Sequence, residues 1–431
     1  MTAQPRVYIT GMGMLTAAGC SVDDNWQALL HGQSHLGPIE SAQLNQWSMK
    51  IGGEIRGLNP AKLLPDRKLV KAISYQDSLG IIAAAQAIED SQLIPYRDEL
   101  ANPTAFNEST GIYVGSPGNK YLQQYDFLPL MAKTKGNMQD FATELFNEVH
   151  PMWLLRILPN NVLAYTGMTY QFKGPNHNVT NHAVGGFQAL IEAYHAIAHG
   201  QIDRAVVVAY DLGLDPQALF YYDKLGLLSH EELKPFDAHH SGTVLANGAA
   251  ALVLESEASI QERQGHAYAE LCGGRSLTEG EGLFNLDQQA QQLTRLISDV
   301  LNQNHCQAED LAFVTAHGNG SKASDDSELR ALHHHFADSQ TPIAAFKWCM
   351  GHTLVASGLV DTLLSIQALR QRFCPGIANL HNAHPQAKNL NLNAQGHDLG
   401  HGEHALILNR GFASMNAAIM ISTQGLPHAP H

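Results

Sequence analysis

Cysteine is scarce in this 431-residue chain, and its five copies, Cys20, Cys272, Cys306, Cys349 and Cys374, never fall in CxxC spacing. That excludes a cysteine-built zinc or redox motif and predicts scattered, reduced thiols. Basic residues also run short: 26 Lys and Arg stand against 40 Asp and Glu, a formal net charge of −14. A surface of that sign suits neither nucleic acid nor an anionic membrane. No uncharged apolar run reaches the length of a membrane span. The opening MTAQPRVYITGMG lacks a basic region followed by a long apolar one, so no secretory signal is expected and a cytoplasmic location is. Charged residues make up only 15% of the chain and hydrophobic ones 44%, which excludes disorder and calls for a large buried core.

Histidine is plentiful, but its runs, His239-His240 and His333-His334-His335, lack the spacing of metal ligands on fixed elements. They are expected to be solvated surface, with no metal site and no bound cofactor. Gly11-Met12-Gly13-Met14-Leu15-Thr16 starts like a dinucleotide fingerprint. Its third glycine is missing and no suitably placed acid follows, so nucleotide binding is rejected.

Strand and helix signals alternate along the chain. Arg6–Thr10 reads as a strand, Ser21 as the cap of a helix Val22–His31, and Ser74–Ser91 as a long Ala/Ile helix. Residues 33–70 read as irregular. Gly111–Gly115, Ala205–Tyr210 and Ala249–Glu255 read as strands, and Pro159-Asn160-Asn161 opens a helix. Tyr121–Glu148, rich in Met, Phe and Leu without clean periodicity, reads as a packing or interface segment. The pattern then restarts: strand Ala267–Gly273, helix Leu286–Gln303, strands Leu311–Thr315 and Pro342–Phe346, helix Leu354–Arg370, and strands His404–Asn409 and Ala417–Ile421. Such alternation implies an α/β fold of two similar halves, 1–256 (with insertions near 33–70 and 116–160) and 257–422, followed by a tail 423–431.

Asn178–Ile197 organises the chemistry. A polar turn through Gly185-Gly186 leads into a largely apolar helix, and a helix N-terminus lowers a thiol pKa and binds an oxyanion. Yet Ala183 stands where a nucleophile is sought. In the second half, polar groups follow strands at Thr315–Ser321, at Phe346–His352 and at Asn409–Asn416. His317 and His352 could together hydrogen-bond one carbonyl oxygen and stabilise charge developing there. Lys347, five positions before His352, could hold a ring or a carboxylate in place.

These stretches resemble the β-ketoacyl-acyl-carrier-protein synthases, condensing enzymes of the thiolase fold. The family's strand into a Gly-x-Gly turn matches Val7–Gly13, its LPN matches Leu158-Pro159-Asn160, and its KGP matches Lys173-Gly174-Pro175. Its HGT stretch with a downstream Asp and Glu matches His317-Gly318-Asn319, Asp325 and Glu328. Its Lys-x-x-x-Gly-His matches Lys347, Gly351 and His352, and its Gly-Phe-Gly loop matches Gly411-Phe412-Ala413, with Asn416 retained. The resemblance implies a thiolase-like fold, two βαβαβαββ halves with central helices between mixed sheets in α/β/α/β/α layers.

In the family's Thr-Ala-Cys-x-x-Gly stretch the Cys is the nucleophile. Here the match is Asn181-His182-Ala183-Val184-Gly185-Gly186, which puts Ala183 on the nucleophile position, and a methyl group cannot carry a thioester. Asn181 and His182 depart as well, so the whole turn has diverged. His182, one position off, is expected to point elsewhere. The resemblance therefore implies a chain-length-factor-like subunit that pairs with a Cys-bearing synthase and shapes the acyl tunnel in a type II polyketide or fatty-acid-like system, an aryl polyene being one candidate product. An acyl carrier protein, docking mainly on the partner, would present the chain on phosphopantetheine, near Asn319 and Ser321. Tyr121–Phe141 is the candidate tunnel floor and dimer contact. Ala413 and Met415 replace the family's Gly and Thr, which should stiffen the loop. The alternative is a malonyl-carrier-protein decarboxylase that uses His317, His352 and Lys347, with the backbone N–H groups of Ala183 and Phe412 as an oxyanion hole.

Overall fold

The computed structural model describes residues 5–41, 49–118 and 127–427. Ten strands form one mixed sheet: β1 (Val7–Leu15), β2 (Thr110–Gly115), β3 (Asn176–Val179), β4 (Arg204–Leu212), β5 (Asn247–Ser256), β6 (Ala269–Thr278), β7 (Leu311–Thr315), β8 (Ile343–Ala344), β9 (His404–Gly411) and β10 (Met415–Ser422). Their spatial order is β8-β7-β9-β10-β6-β1-β5-β4-β2-β3. The first five strands take the order 3-2-4-5-1, and so do the last five. Pairing directions repeat as well: β4-β2-β3 and β9-β7-β8 run parallel, while β5 and β10 return antiparallel to their neighbours. The halves join where β1 meets β6 at Tyr8 opposite Glu270 and Ile9 opposite Ala269.

Five helices matter for the site: α1 (Tyr75–Asp90), α2 (Gly185–Ala198), α3 (Gln291–Gln303), α4 (Lys322–Phe336) and α5 (Ser357–Gln371). α1 covers β1, β4 and β5, and α3 covers β6 and β10 from outside. α2 and α5 lie in the middle and pack on strands of both halves and on each other. This is why α5 is buried continuously from Ser357 to Leu369, without an exposed face. The strands they cover read as unbroken apolar runs, as two-sided burial requires.

Local chemistry sets the element ends. Ser74 and Asp77 make a reciprocal capping box at α1, and Ser21 accepts from the Asp24 N–H at the start of helix Val22–Leu30. α3 starts at Gln291, later than the Leu286 expected, because the Asp287 carboxylate takes the N–H groups of Gln289 and Gln291 and Ala290 turns left-handed. The expected strand Pro342–Phe346 narrows to Ile343–Ala344, since Lys347–Met350 coils into a helical turn.

Residues 121–126 of the Tyr121–Glu148 segment lie outside the described residues. The rest forms helices Leu128–Lys133 and Met138–Glu148, of which only Leu130 is buried, so the segment does not pack into this chain's own core. His240 corrects the expectation that the histidine runs are solvated, because it is buried beside Asp325. His333 and His334 do lie exposed. Among the described residues, no helix is long and apolar enough to cross a membrane.

Candidate active site

α2 and α5 are each entered through one tight 3₁₀ turn, His182–Val184 and Leu354–Ala356. The first residue of each turn is left-handed, His182 at φ 48° and Leu354 at φ 49°. The two turns pack against each other, so each half contributes the same device to the centre of the molecule. Ala183 sits in the first of them, fully buried. The end of β9 closes over it: a Cβ on Gly411 would lie 3.4 Å from the backbone nitrogens of Ala183 and Val184. Asn409, with its amide nitrogen turned toward this turn, donates to the Ala183 carbonyl at 2.8 Å and accepts from Ser357 and Gly358.

His317 follows β7. Its loop is held by carboxylates through backbone groups: Glu328 accepts from the N–H of His317 at 2.7 Å and of Gly318 at 2.9 Å, and Asp325 accepts from that of Gly320 at 3.1 Å. Burial pushes Glu328 up to about 7, against the pull of Arg410 and these bonds. The His317 Nδ1 accepts the Arg410 N–H at 3.3 Å, which leaves the ring proton on Nε2. The Arg410 guanidinium is itself fixed by Asn416, Glu279 and the Ser324 carbonyl.

His352 sits in a bridge to the 244–246 segment, donating to the Val244 carbonyl at 2.8 Å. Its ring meets that of His317 edge to face, with centroids 5.2 Å apart. Burial drives both imidazoles well below the ordinary histidine range, and the Lys347 charge adds to it. Both are therefore neutral near pH 7 and act as N–H donors rather than cations.

Lys347 holds a carboxylate: its Nζ donates to Asp361 Oδ2 at 2.5 Å, with both side chains buried. Burial pushes Asp361 up to about 6, opposed by this lysine. Lys347 lines neither cavity of the site.

Two cavities meet here. The smaller, about 140 Å³, is lined by His317, His352, Asn319, Ser321 and Arg410. The larger, about 580 Å³ and mostly apolar, reaches Gln76, Asp211 and Leu354. His182, Tyr222, Leu225, Phe284 and Phe412 line both and form the partition. The structure thus brings His317, His352, Asn319, Ser321 and Phe412 to one cavity, with the Ala183 backbone against Gly411 behind it. None of the described residues 127–141 lines either cavity.

His182 departs from expectation. Its left-handed backbone swings the ring into the site, where it stacks on Phe412 at 4.4 Å and meets the Tyr222 hydroxyl at 3.0 Å. Burial lowers its pKa to about 4, so it too is neutral.

Three residues escaped the sequence reading. Asp361 carried a signal, a lone acid inside an apolar helix. Asp211 ends the AVVVAY run at the larger cavity. Arg410 was visible only as part of the stretch around Gly411; its hold on His317 is a tertiary fact.

The model of the β-ketoacyl synthase N-terminal domain matches residues 4–259, and that of its C-terminal domain matches residues 268–381. The 3-oxoacyl-[acyl-carrier-protein] synthase 2 of Coxiella burnetii is 26% identical over 385 residues, covering 88% of this chain and 89% of that protein. Among solved structures, the ishigamide ketosynthase/chain length factor aligns over 98% of this chain and 100% of its own, with TM-score 0.86 and 21% identity. A type II polyketide ketosynthase in complex with its acyl-carrier protein covers 97% of this chain and 99% of its own, with TM-score 0.83 and 20% identity. With both domains matched and the paired histidines at one cavity, the chain belongs to the β-ketoacyl synthase family.

Proposed function

We propose that this chain is a chain-length-factor-like subunit, which pairs with a Cys-bearing β-ketoacyl synthase and shapes its acyl tunnel without condensing acyl groups itself. Ala183 carries this reading. The turn into α2 has the backbone of a nucleophile site, but its side chain is a methyl group, and the covalent step of condensation needs a thiolate or equivalent there. The partition of His182, Tyr222 and Phe412 supports it, since it separates the histidine cavity from the apolar chamber. So does the exposed apolar surface of the 128–168 region, which includes Leu128, Met138, Phe146, Leu154 and Met168. Next to it β3 ends the sheet as an exposed edge, and both features are typical of surfaces covered by a partner. An acyl carrier protein would bring the chain on phosphopantetheine, docking mainly on the partner, with Asn319 and Ser321 lining this subunit's cavity. No resident cofactor or metal takes part in this function.

Native mass spectrometry after co-expression with a Cys-bearing synthase from the same source tests this. A one-to-one heterodimer is expected. A homodimer that ignores the synthase would sink the reading.

The neutral pair His317 and His352 favours one second reading, malonyl-carrier-protein decarboxylation. Two N–H donors on one oxygen would stabilise the enolate left when CO₂ departs, and that step needs no nucleophile. Intact mass of malonyl-carrier protein mixed with the pure chain distinguishes the two. Unchanged carrier supports the subunit reading, whereas acetyl-carrier that disappears with His317→Ala supports the decarboxylase.

A further inference from the structure

Behind the His317 loop, three side chains from three segments converge: His240 from the 235–240 loop, Asp326 from near the start of α4, and His384 from the 381–387 turn. Asp326 Oδ1 lies 3.9 Å from His240 Nε2 and 3.6 Å from His384 Nε2. All three ligand atoms fall within 4.8 Å of one another. Asp326 Oδ1 is shielded from solvent and makes no hydrogen bond among the described residues. A shielded carboxylate oxygen without a hydrogen bond is costly, and a cation held between it and the two imidazoles offsets that cost.

We propose that His240, His384 and Asp326 bind Zn²⁺. The donor set, two imidazoles and one carboxylate, suits Zn²⁺ rather than Ca²⁺ or Mg²⁺, which prefer all-oxygen shells. Around a tetrahedral zinc with bonds of about 2.0–2.1 Å, neighbouring donors stand about 3.3 Å apart. From the 3.9 Å and 3.6 Å separations, binding closes the two imidazole–carboxylate pairs by about 0.6 and 0.3 Å, and the His240–His384 pair, within 4.8 Å, by up to about 1.5 Å. Water completes the shell, since the protein offers three ligands.

The surroundings fit. His240 is only 5% exposed, and its Nδ1 lies 3.3 Å from Asp325 Oδ2. A carboxylate on the far nitrogen of a liganding imidazole sets the tautomer and aims the other nitrogen at the metal. Asp325 and Asp326 together balance the ion's charge. At His384, Nδ1 accepts the Gln386 N–H at 3.3 Å. Zinc on Nε2 moves the ring proton to Nδ1 and gives up that long bond, so binding reshapes the 384–387 turn slightly. Asp325 also holds Gly320 and Phe236, so the metal clips together the segments that carry the His317 loop.

The test uses the full-length protein, stripped with a chelator and then dialysed against ZnCl₂ or CoCl₂. Wild type should retain one equivalent of metal by elemental analysis, show visible Co²⁺ bands, and gain thermal stability with Zn²⁺. His384→Gln and Asp326→Asn should each raise the Zn²⁺ Kd at least about tenfold and lose the thermal gain. Both should keep the metal-free melting temperature, which certifies folding. His334→Gln, in the exposed run, should bind as wild type does. Wild type that retains no zinc, or variants that retain it unchanged, would overturn the proposal.

Discussion

Ala413 and Ser414 hold consecutive left-handed backbones, φ 59° and 56°, with a Cβ on each. Their cost is offset by bonds to the 282–285 segment: the Ala413 N–H donates to the Leu283 carbonyl at 2.8 Å, and the Ser414 hydroxyl to those of Gly282 and Asn285. Ala413→Gly should relieve the strain, about 1 kcal/mol, but return up to that much as unfolded-chain entropy. The expected result is a melting temperature equal to or above wild type together with faster amide exchange in residues 411–415. Protection of the loop left unchanged would mean that the bonds alone hold it. Asp211 gives a pH signature. Burial pushes its carboxyl up to about 7, against the bonds from Leu212, Val355 and Gln76. Unfolded, it titrates at about 3.9. Between those values the folded chain binds the extra proton, so this group's contribution to stability is present at low pH and is lost as pH rises. Asp211→Asn removes the effect, although its amide leaves a backbone donor less well matched. The stability gap to wild type should shift in the variant's favour by up to about 1.4 kcal/mol per pH unit between pH 5 and 7. Parallel curves in denaturant titrations at the two pH values would contradict this. At the buried Lys347–Asp361 pair, Lys347→Met leaves a carboxylate without its partner and should cost about 3–5 kcal/mol, most of it recovered by Asp361→Leu in the same chain.

At the scale of elements, the contact between the two central helices is made by missing side chains. A Cβ on Gly186 would lie 2.6 Å from the Val355 carbonyl oxygen and 2.8 Å from Ala209 Cβ. Gly358 likewise lies under the Phe187 ring, 2.4 Å from where its Cβ would be. Gly186→Ala should therefore push α2 from the α5 turn and cost about 1–3 kcal/mol in chemical denaturation. It should also loosen the pair of turns that carry Ala183 and Val355. Periodicity reveals helices and runs reveal strands, which is why most elements were legible from residue order. α3 starts later than its spacing predicts because the capping side chain, Asp287, competes from outside the helix. β8 is shorter than its apolar run predicts because such a stretch reads alike whether it pairs or coils, and only the sheet edge decides.

For the whole molecule, the partner reading rests on surface this chain leaves uncovered. Phe146 is 88% exposed and Met138 63%, on a helix with no buried residue. If that face is the interface, replacing both with Glu should abolish co-purification with the synthase, while changing the isolated chain's stability by less than about 0.5 kcal/mol. Retained pairing would move the interface elsewhere, with the β3 edge the next surface to probe.

The order of residues by itself determined the α/β class, the repeated sequence of elements and the family motifs, because these rest on local periodicity and on short spacings along the chain. It also placed Ala183 at the turn and His317 and His352 after strands. Only the tertiary structure decided what those groups face. Left-handed backbone at His182 turned that ring into the site instead of away, a backbone torsion that the residue type did not announce. Arg410 chose the His317 tautomer across 93 residues of sequence. His240, one of an unremarkable pair in the sequence, became a buried group facing Asp326 and His384. Long-range packing sets burial, and burial sets the charge state of every imidazole at the site, so neither could be read before the chain was folded.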